Sequence, residues 1–326
     1  VGGSVMDSST SGQFHTVLIT GGTDGLGRAA ATLLASEGYR VFAAGRNPQK
    51  RAALEQFAEE HELPLETVDL DVTSDESADR AVAEVERRAG PVDVLVNNAG
   101  IAIAAVMEEV SIDDLRKQFE TNVFGAVRMA KRVLPGMRER RSGRIINMSS
   151  IAGKTSNPLM GPYSASKHAL EAISDAMRME LAQFGIHVVL IEPGFIPTNM
   201  GEVSAGLSAQ YVQNAAASPY ARTYTGFLQM WRKVMSRSRS TPDDCARVIL
   251  HAIRADSPRP RYRVTREAKL TMAMRWLLSD RQLDRLTLRM MGLHRLAPSA
   301  PDAAQFEAQL QETIRSRSLA RPDHRN

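Results

Sequence analysis

Tyr163 and Lys167 stand four residues apart in the run Tyr163-Ser164-Ala165-Ser166-Lys167, with Ser150 thirteen positions upstream. On a helix an i, i+4 pair shares one face, so the phenol and the ammonium would lie side by side. A tyrosine titrating at about 10 is a poor base near neutrality. An adjacent cation favours the phenolate and brings its titration toward working pH, which makes the pair a candidate proton donor and acceptor. Tyr and Lys at this spacing are also common as packing and solvation partners. Their meaning depends on what else the chain places beside them.

A second constellation is Thr20-Gly21-Gly22-Thr23-Asp24-Gly25-Leu26-Gly27, between an apolar run and a helical pattern. Glycines at 21, 25 and 27 permit a tight turn and close backbone approach, so a pyrophosphate can sit on the amides of a helix N-terminus. The spacing is GxxxGxG, not the commoner GxGxxG, and a glycine-rich turn can also be only a turn. Gly45 and Arg46 close the next apolar run, where a reader of an unphosphorylated ribose would carry an acid. Arg46 can grip a 2′-phosphate through a charged fork, which favours NADP(H) and leaves NAD(H) open. The competing reading makes Arg46 a solvated loop residue, because Asp24 offers no helpful second positive charge.

The elements that must position these residues follow from periodicity. Apolar, β-branched runs at 15–20, 39–44, 65–69, 92–97, 143–148 and 187–191 alternate with helical patterns at 27–37, 51–60, 74–88, 112–138 and 163–184. Such alternation forces parallel pairing and predicts an α/β fold, a Rossmann-type doubly wound parallel sheet with helices on both faces. Ligands of such sheets bind beyond the carboxyl ends of the strands, where the residues above fall. Residues 195–240, rich in Met, Tyr, Ser and Ala, read as a long substrate-binding loop or lid. A helix is expected at 242–255, apolar residues mixed with charges at 267–278, and a capping box of Ser279 and Gln282 opens a helix ending near Gly292. A weak helix and a frayed tail follow Pro298. The expected organisation is one Rossmann domain over 14–255 with a helical C-terminal extension over 256–326.

Composition narrows the classes. The 326 residues are 43% hydrophobic and 24% charged, enough for a sizeable core. Cys245 is the single cysteine, so neither an internal disulfide nor a Cys-based zinc cluster can form, and a reducing cytoplasm is the expected compartment. No apolar run reaches the roughly 18 residues needed to span a bilayer, and residues 1–13 carry no signal-peptide apolar region. Gly2, Gly3 and Ser4 read as a remnant ahead of a start at Met6. Residues 221–326 hold 21 Lys/Arg against 10 Asp/Glu, whereas residues 1–220 hold 20 against 27. The arginines lie among apolar residues without an aromatic stacking array, which argues against nucleic acid. Leu283, Leu286, Met290 and Leu293 make one stripe and Arg281, Arg285 and Arg289 another. This region can be a helix packed on the domain, a lid with Trp276 and methionines as an adaptable wall, or a helix lying peripherally on a membrane.

Together, TGGTDGLG, the NNAG of Asn97–Gly100, Asn122, Ser150, Tyr163-x-x-x-Lys167 and Pro193-Gly194 resemble the short-chain dehydrogenase/reductase family over about residues 14–255. The resemblance implies an oxidoreductase in which Tyr163 is the general acid/base, Lys167 lowers its pKa and holds the nicotinamide ribose, and Ser150 bonds the reacting oxygen. Asn122 would hold a water that relays protons to Lys167. Cofactor contacts implied are the turn Thr20, Gly21, Thr23, Asp24, Gly25, Leu26 and Gly27, then Arg46, and Asp71 and Val72 at adenine. Asn98, Ala99 and Gly100 would line the central strand and ribose wall, with Pro193, Gly194, Ile196 and Thr198 on the nicotinamide side. Asp71 could equally cap the next helix, and Asn97 and Asn98 could serve strand-end backbone groups. The phosphate turn, the Gly-Arg pair and residues 261–269 look most like the branch of 17β-hydroxysteroid and photoreceptor retinol dehydrogenases. That implies a bulky apolar ketone or alcohol substrate, no metal, and a homodimer or homotetramer paired through the helices at 112–138 and 163–184. A non-catalytic nicotinamide-nucleotide sensor, and an epimerase or dehydratase on the same scaffold, remain the alternatives.

Overall fold

The computed structural model describes residues 15–198 and 200–294. The leader at 1–13 and the tail expected beyond Pro298 lie outside the described residues. Seven strands form one parallel sheet: β1 Thr16–Thr20, β2 Arg40–Gly45, β3 Leu65–Asp69, β4 Val94–Asn97, β5 Gly143–Met148, β6 Ile186–Glu192 and β7 Arg261–Arg263. Their order is β3-β2-β1-β4-β5-β6-β7. The direction of progression reverses between β1 and β4, which opens a crevice at their carboxyl ends.

Helices α1 Gly25–Ser36, α2 Pro48–Glu60, α3 Asp75–Ala89, α4 Ile112–Phe119, α5 Gly125–Glu139 and α6 Gly161–Leu181 make the crossovers. Side chains alternate across each strand. Val17 and Ile19 of β1 therefore enter a core with α1, α2 and a later helix, while Leu18 enters a second core with α3, α5 and the end of α6. The single helix expected at 112–138 is two, joined by a π turn at Glu120–Phe124. Such turns add one residue to the helical repeat and frequently mark functional sites.

Residues 195–240 are not a long loop. They fold into α7 Met200–Leu207, α8 Ala209–Gln213 and α9 Ala221–Arg237, followed by α10 Pro242–Arg254, which packs along α1. Tyr211, Tyr224, Phe227 and Met230 build a third core against Ile103, Val110 and Leu159, over the carboxyl edge of the sheet. The C-terminal extension holds α11 Arg266–Leu277 and α12 Asp280–Met290. Ser279 and Gln282 do form the capping box of α12. The stripe expected on α12 is only half buried, and Met290 is exposed. Leu293 of that stripe packs, partly buried, against the third core, and Met291, one residue after Met290, is buried in it.

Candidate active site

The turn after β1 takes its shape from glycine. Gly21 and Gly25 have φ of +61° and +52°, in the left-handed region that side chains disfavour. A Cβ on Gly27 would lie 2.3 Å from the Gly21 carbonyl oxygen. The turn is tied to β4 by Thr20 Oγ1, which accepts from the amides of Asn98 and Ala99 at 3.0 Å each. Asn98 Nδ2 donates at 3.0 Å to the carbonyls of Thr20 and Gly21. Asn98 thus serves backbone groups, one of the two readings its position allowed. Thr23 is buried against Gly45, Leu26 packs into the first core, and Asp24 caps α1 through the Gly25 amide. Thr198 lies across the turn, with Cβ 3.5 Å from where a Gly25 Cβ would stand. The outcome is a glycine-lined cradle at the N-terminus of α1, and a dinucleotide pyrophosphate fits it.

Arg46 is exposed at the end of β2 and pairs with Asp71 at 3.3 Å. Burial alone would raise the Asp71 carboxyl, but hydrogen bonds from Thr73 and the Arg46 charge hold it below its usual range. Asp71 does not cap α3; Ser74 does, accepting from the Ser77 amide. Val72 is buried beside Gly125 and receives Arg128 on its carbonyl. Sequence reasoning found no second cation here, yet Lys50, on the first turn of α2, reaches the Asp24 carboxylate. The available signal was its place four residues after Arg46, beyond a Pro48 that starts a helix.

Tyr163 and Lys167 lie on the first two turns of α6, as the spacing predicted. Lys167 Nζ is 5.7 Å from the Tyr163 ring centre and donates at 2.7 Å to the Met148 carbonyl at the end of β5. Ser150 caps the short turn Ile151–Gly153 through the Ala152 amide, and its hydroxyl faces the Tyr163 phenol closely enough to bear on its titration. Burial raises the Tyr163 phenol above its usual value, an effect the neighbouring Ser150 hydroxyl opposes. Burial also brings Lys167 down to about 8, while the nearby Glu171 carboxylate pulls the other way. Buried Glu171, unforeseen in the sequence, joins Ser149, Lys154 and Arg261.

Asn122 sits in the π turn. Its Oδ1 accepts from the Ile101 amide at 2.8 Å, and its Nδ2 donates to the Ile101 carbonyl and Ser166 Oγ. Gly100 lies against it, and Ala99 packs beside the second core. The Pro193 carbonyl receives the Ile151 amide, Ile196 is buried in the first core, and Gly194 lies against Thr265 and Ala268 of the extension. All the predicted residues therefore gather along one edge of the sheet. A cleft of about 430 Å³ lies between the 156–161 segment, Met107 and Tyr220; its lining reaches Gly161 at the start of α6 and includes none of the predicted site residues. Among the described residues no cluster of metal-ligating side chains occurs.

Comparison with known proteins agrees with this geometry. The family model for short chain dehydrogenases matches residues 15–206. An NADPH-dependent 3-dehydrocapnine reductase of Ornithobacterium rhinotracheale is 34% identical, over 82% of this chain and 94% of its own. Human retinol dehydrogenase 8 is 35% identical, over 75% of this chain and 79% of its own. The crystal structure of a variant actinorhodin polyketide ketoreductase with NADPH superposes with a TM-score of 0.66 at 30% identity, covering 77% of this chain and 95% of that one. The glycine cradle, the Ser150–Tyr163–Lys167 group and these matches lead to one conclusion: the chain belongs to the short-chain dehydrogenase/reductase family and is an oxidoreductase of that family, which uses NAD(P).

Proposed function

We propose that the protein interconverts a bulky apolar ketone and its alcohol with NADP(H). The observation that carries this reading is the buried Lys167 ammonium 5.7 Å from the Tyr163 ring and anchored on the Met148 carbonyl, with the Ser150 hydroxyl beside the same phenol, at the edge where the glycine cradle ends. A bound nicotinamide dinucleotide supplies or accepts hydride at that edge. Tyr163 Oη donates a proton to the carbonyl oxygen as it gains negative charge. Ser150 Oγ hydrogen-bonds the same oxygen and fixes its position. Lys167 holds positive charge beneath the phenol and favours its return to phenolate. The Asn122 side chain is engaged by Ile101 and Ser166, so a relay water would be held by main-chain groups of the π turn.

Arg46 and Lys50 are the two cations at the ribose end of the cradle, and both support a 2′-phosphate in place of their present partners Asp71 and Asp24. The NADPH-dependent 3-dehydrocapnine reductase and the NADPH-bound ketoreductase support NADPH, and the retinol dehydrogenase supports an apolar substrate. Exposed Ile112, Phe124 and Met179 on α4, the π turn and α6 support pairing of two copies through these helices.

Steady-state kinetics on a panel of steroid, retinoid and aryl ketones test the assignment. NADPH should exceed NADH in kcat/KM. Arg46→Ala combined with Lys50→Ala should lower the NADPH value by about 10- to 100-fold and leave NADH nearly unchanged. A wild-type preference for NADH would overturn the cofactor reading, and a panel without turnover would overturn the substrate reading.

A further inference from the structure

Ten large apolar side chains are exposed among the described residues, and five of them fall in the extension: Leu270, Trp276, Leu277, Leu288 and Met290. Helix α11 concentrates the effect. Its inner face is Ala268 and Met272, which are buried, and Thr265 and Ala268 rest on Gly194. Its outer positions, three or four apart, are Arg266, Lys269, Leu270, Ala273, Trp276 and Leu277, all exposed. Trp276 is 86% exposed and Leu277 68%, and with Leu270 on the same helix they cluster instead of lying scattered singly over the surface. No carboxylate stands on that outer face. Across residues 266–294, six Lys/Arg face three Asp/Glu, and on α12 exposed Leu288 follows exposed Arg281 and Arg285.

From this we infer that the outer face of α11 docks on an anionic lipid bilayer. Indole and leucine side chains at the headgroup boundary gain from leaving water, while Arg266 and Lys269 meet lipid phosphate. A second copy of the same face would bring cations against cations. Residues 295–326 carry five arginines and four carboxylates and so offer the face no net negative charge. The inference does not rest on the reaction proposed above. No described helix is long and apolar enough to cross a membrane, so the contact is peripheral. Its place matters, because α11 rests on Gly194 beside the nicotinamide side of the cradle, and Met291 after α12 rests on Gly226 of α9. A bilayer bound at α11 would therefore lie near α9, whose Thr223 lines the cleft, and an apolar molecule leaving the lipid would reach it from that side.

Sedimentation of the full chain with vesicles tests the inference. Vesicles of phosphatidylcholine with phosphatidylglycerol should pellet the protein, those of phosphatidylcholine alone much less, and added salt should release it. Trp276→Ser with Leu277→Ser should weaken binding by at least about ten-fold. Both side chains are exposed, so turnover of a water-soluble ketone should stay at the wild-type level. Tryptophan emission should shift to the blue on adding anionic vesicles and should not shift in Trp276→Phe. Equal pelleting of the double variant, no pelleting with either vesicle, or no preference for the anionic lipid would each overturn the inference. So would a Trp276 emission already blue and shielded from a soluble quencher in the free protein, because the chain itself would then cover the face.

Discussion

Lys167 keeps its amine against the Met148 carbonyl inside the protein, and burial lowers its affinity for the proton to about 8. Tyr163 is shifted the other way, so the phenol stays protonated through neutral pH and is ready to donate. In the reductive direction Lys167 is then the first of the two to titrate on the alkaline side. Turnover is expected to fall as pH rises through about 8, where the ammonium loses its proton and its field. Glu171 is buried and raises the Lys167 value. Glu171→Gln should therefore move the alkaline limb to lower pH, and a pH profile of reductive kcat reads the shift directly. An unmoved limb would separate Glu171 from Lys167. The residue types of this site were legible in the sequence, because glycine turns and i, i+4 pairs act over a few positions. The partners were not. Lys50 meets Asp24, and Arg261 meets Glu171, only because packed helices and strands bring distant positions together.

At the scale of elements, the six apolar strands lie where alternation placed them, within a residue or two, because each buries both faces in a parallel sheet. The seventh, β7, was missed for an equally physical reason. It is three residues long, carries Arg261 and Arg263, and meets its charges on Glu171, Asp175 and Glu192 instead of burying apolar side chains. Helices α8 and α9 start without a capping side-chain hydrogen bond, so the residues that announce a helix were missing from a Ser- and Ala-rich segment. The π turn looked helical because no Gly or Pro interrupts residues 120–124 to mark a break. Arg144 of β5 is buried and donates to the carbonyls of Ala252, Ile253 and Ala255, closing the C-terminal end of α10. Arg144→Leu leaves those carbonyls without this donor and should cost about 2–4 kcal/mol of stability. Urea unfolding should show a lower midpoint at an unchanged slope. A midpoint equal to wild type would mean that α10 is held by apolar packing on α1 alone.

For the whole molecule, the division of charge visible in the sequence has a spatial meaning, since the basic last third supplies α9, α10 and the extension around the candidate site, whose sheet edge is built mostly by the acidic first two thirds. Exposed Phe124, beside Asn122 in the π turn, connects site and assembly. Light scattering should find a dimer or tetramer, and Phe124→Glu should shift it toward monomer by placing a charge on that face. A wild-type monomer would remove this use of α4, α5 and α6. The account as a whole depends on the Tyr163 hydroxyl as the proton donor. Single-turnover absorbance at the NADPH band, paired with NADPH binding by fluorescence, compares Tyr163→Phe with the wild type most directly. Tyr163→Phe is expected to be slower by about 100-fold or more with cofactor affinity retained. Near-equal rates in the two proteins would contradict it.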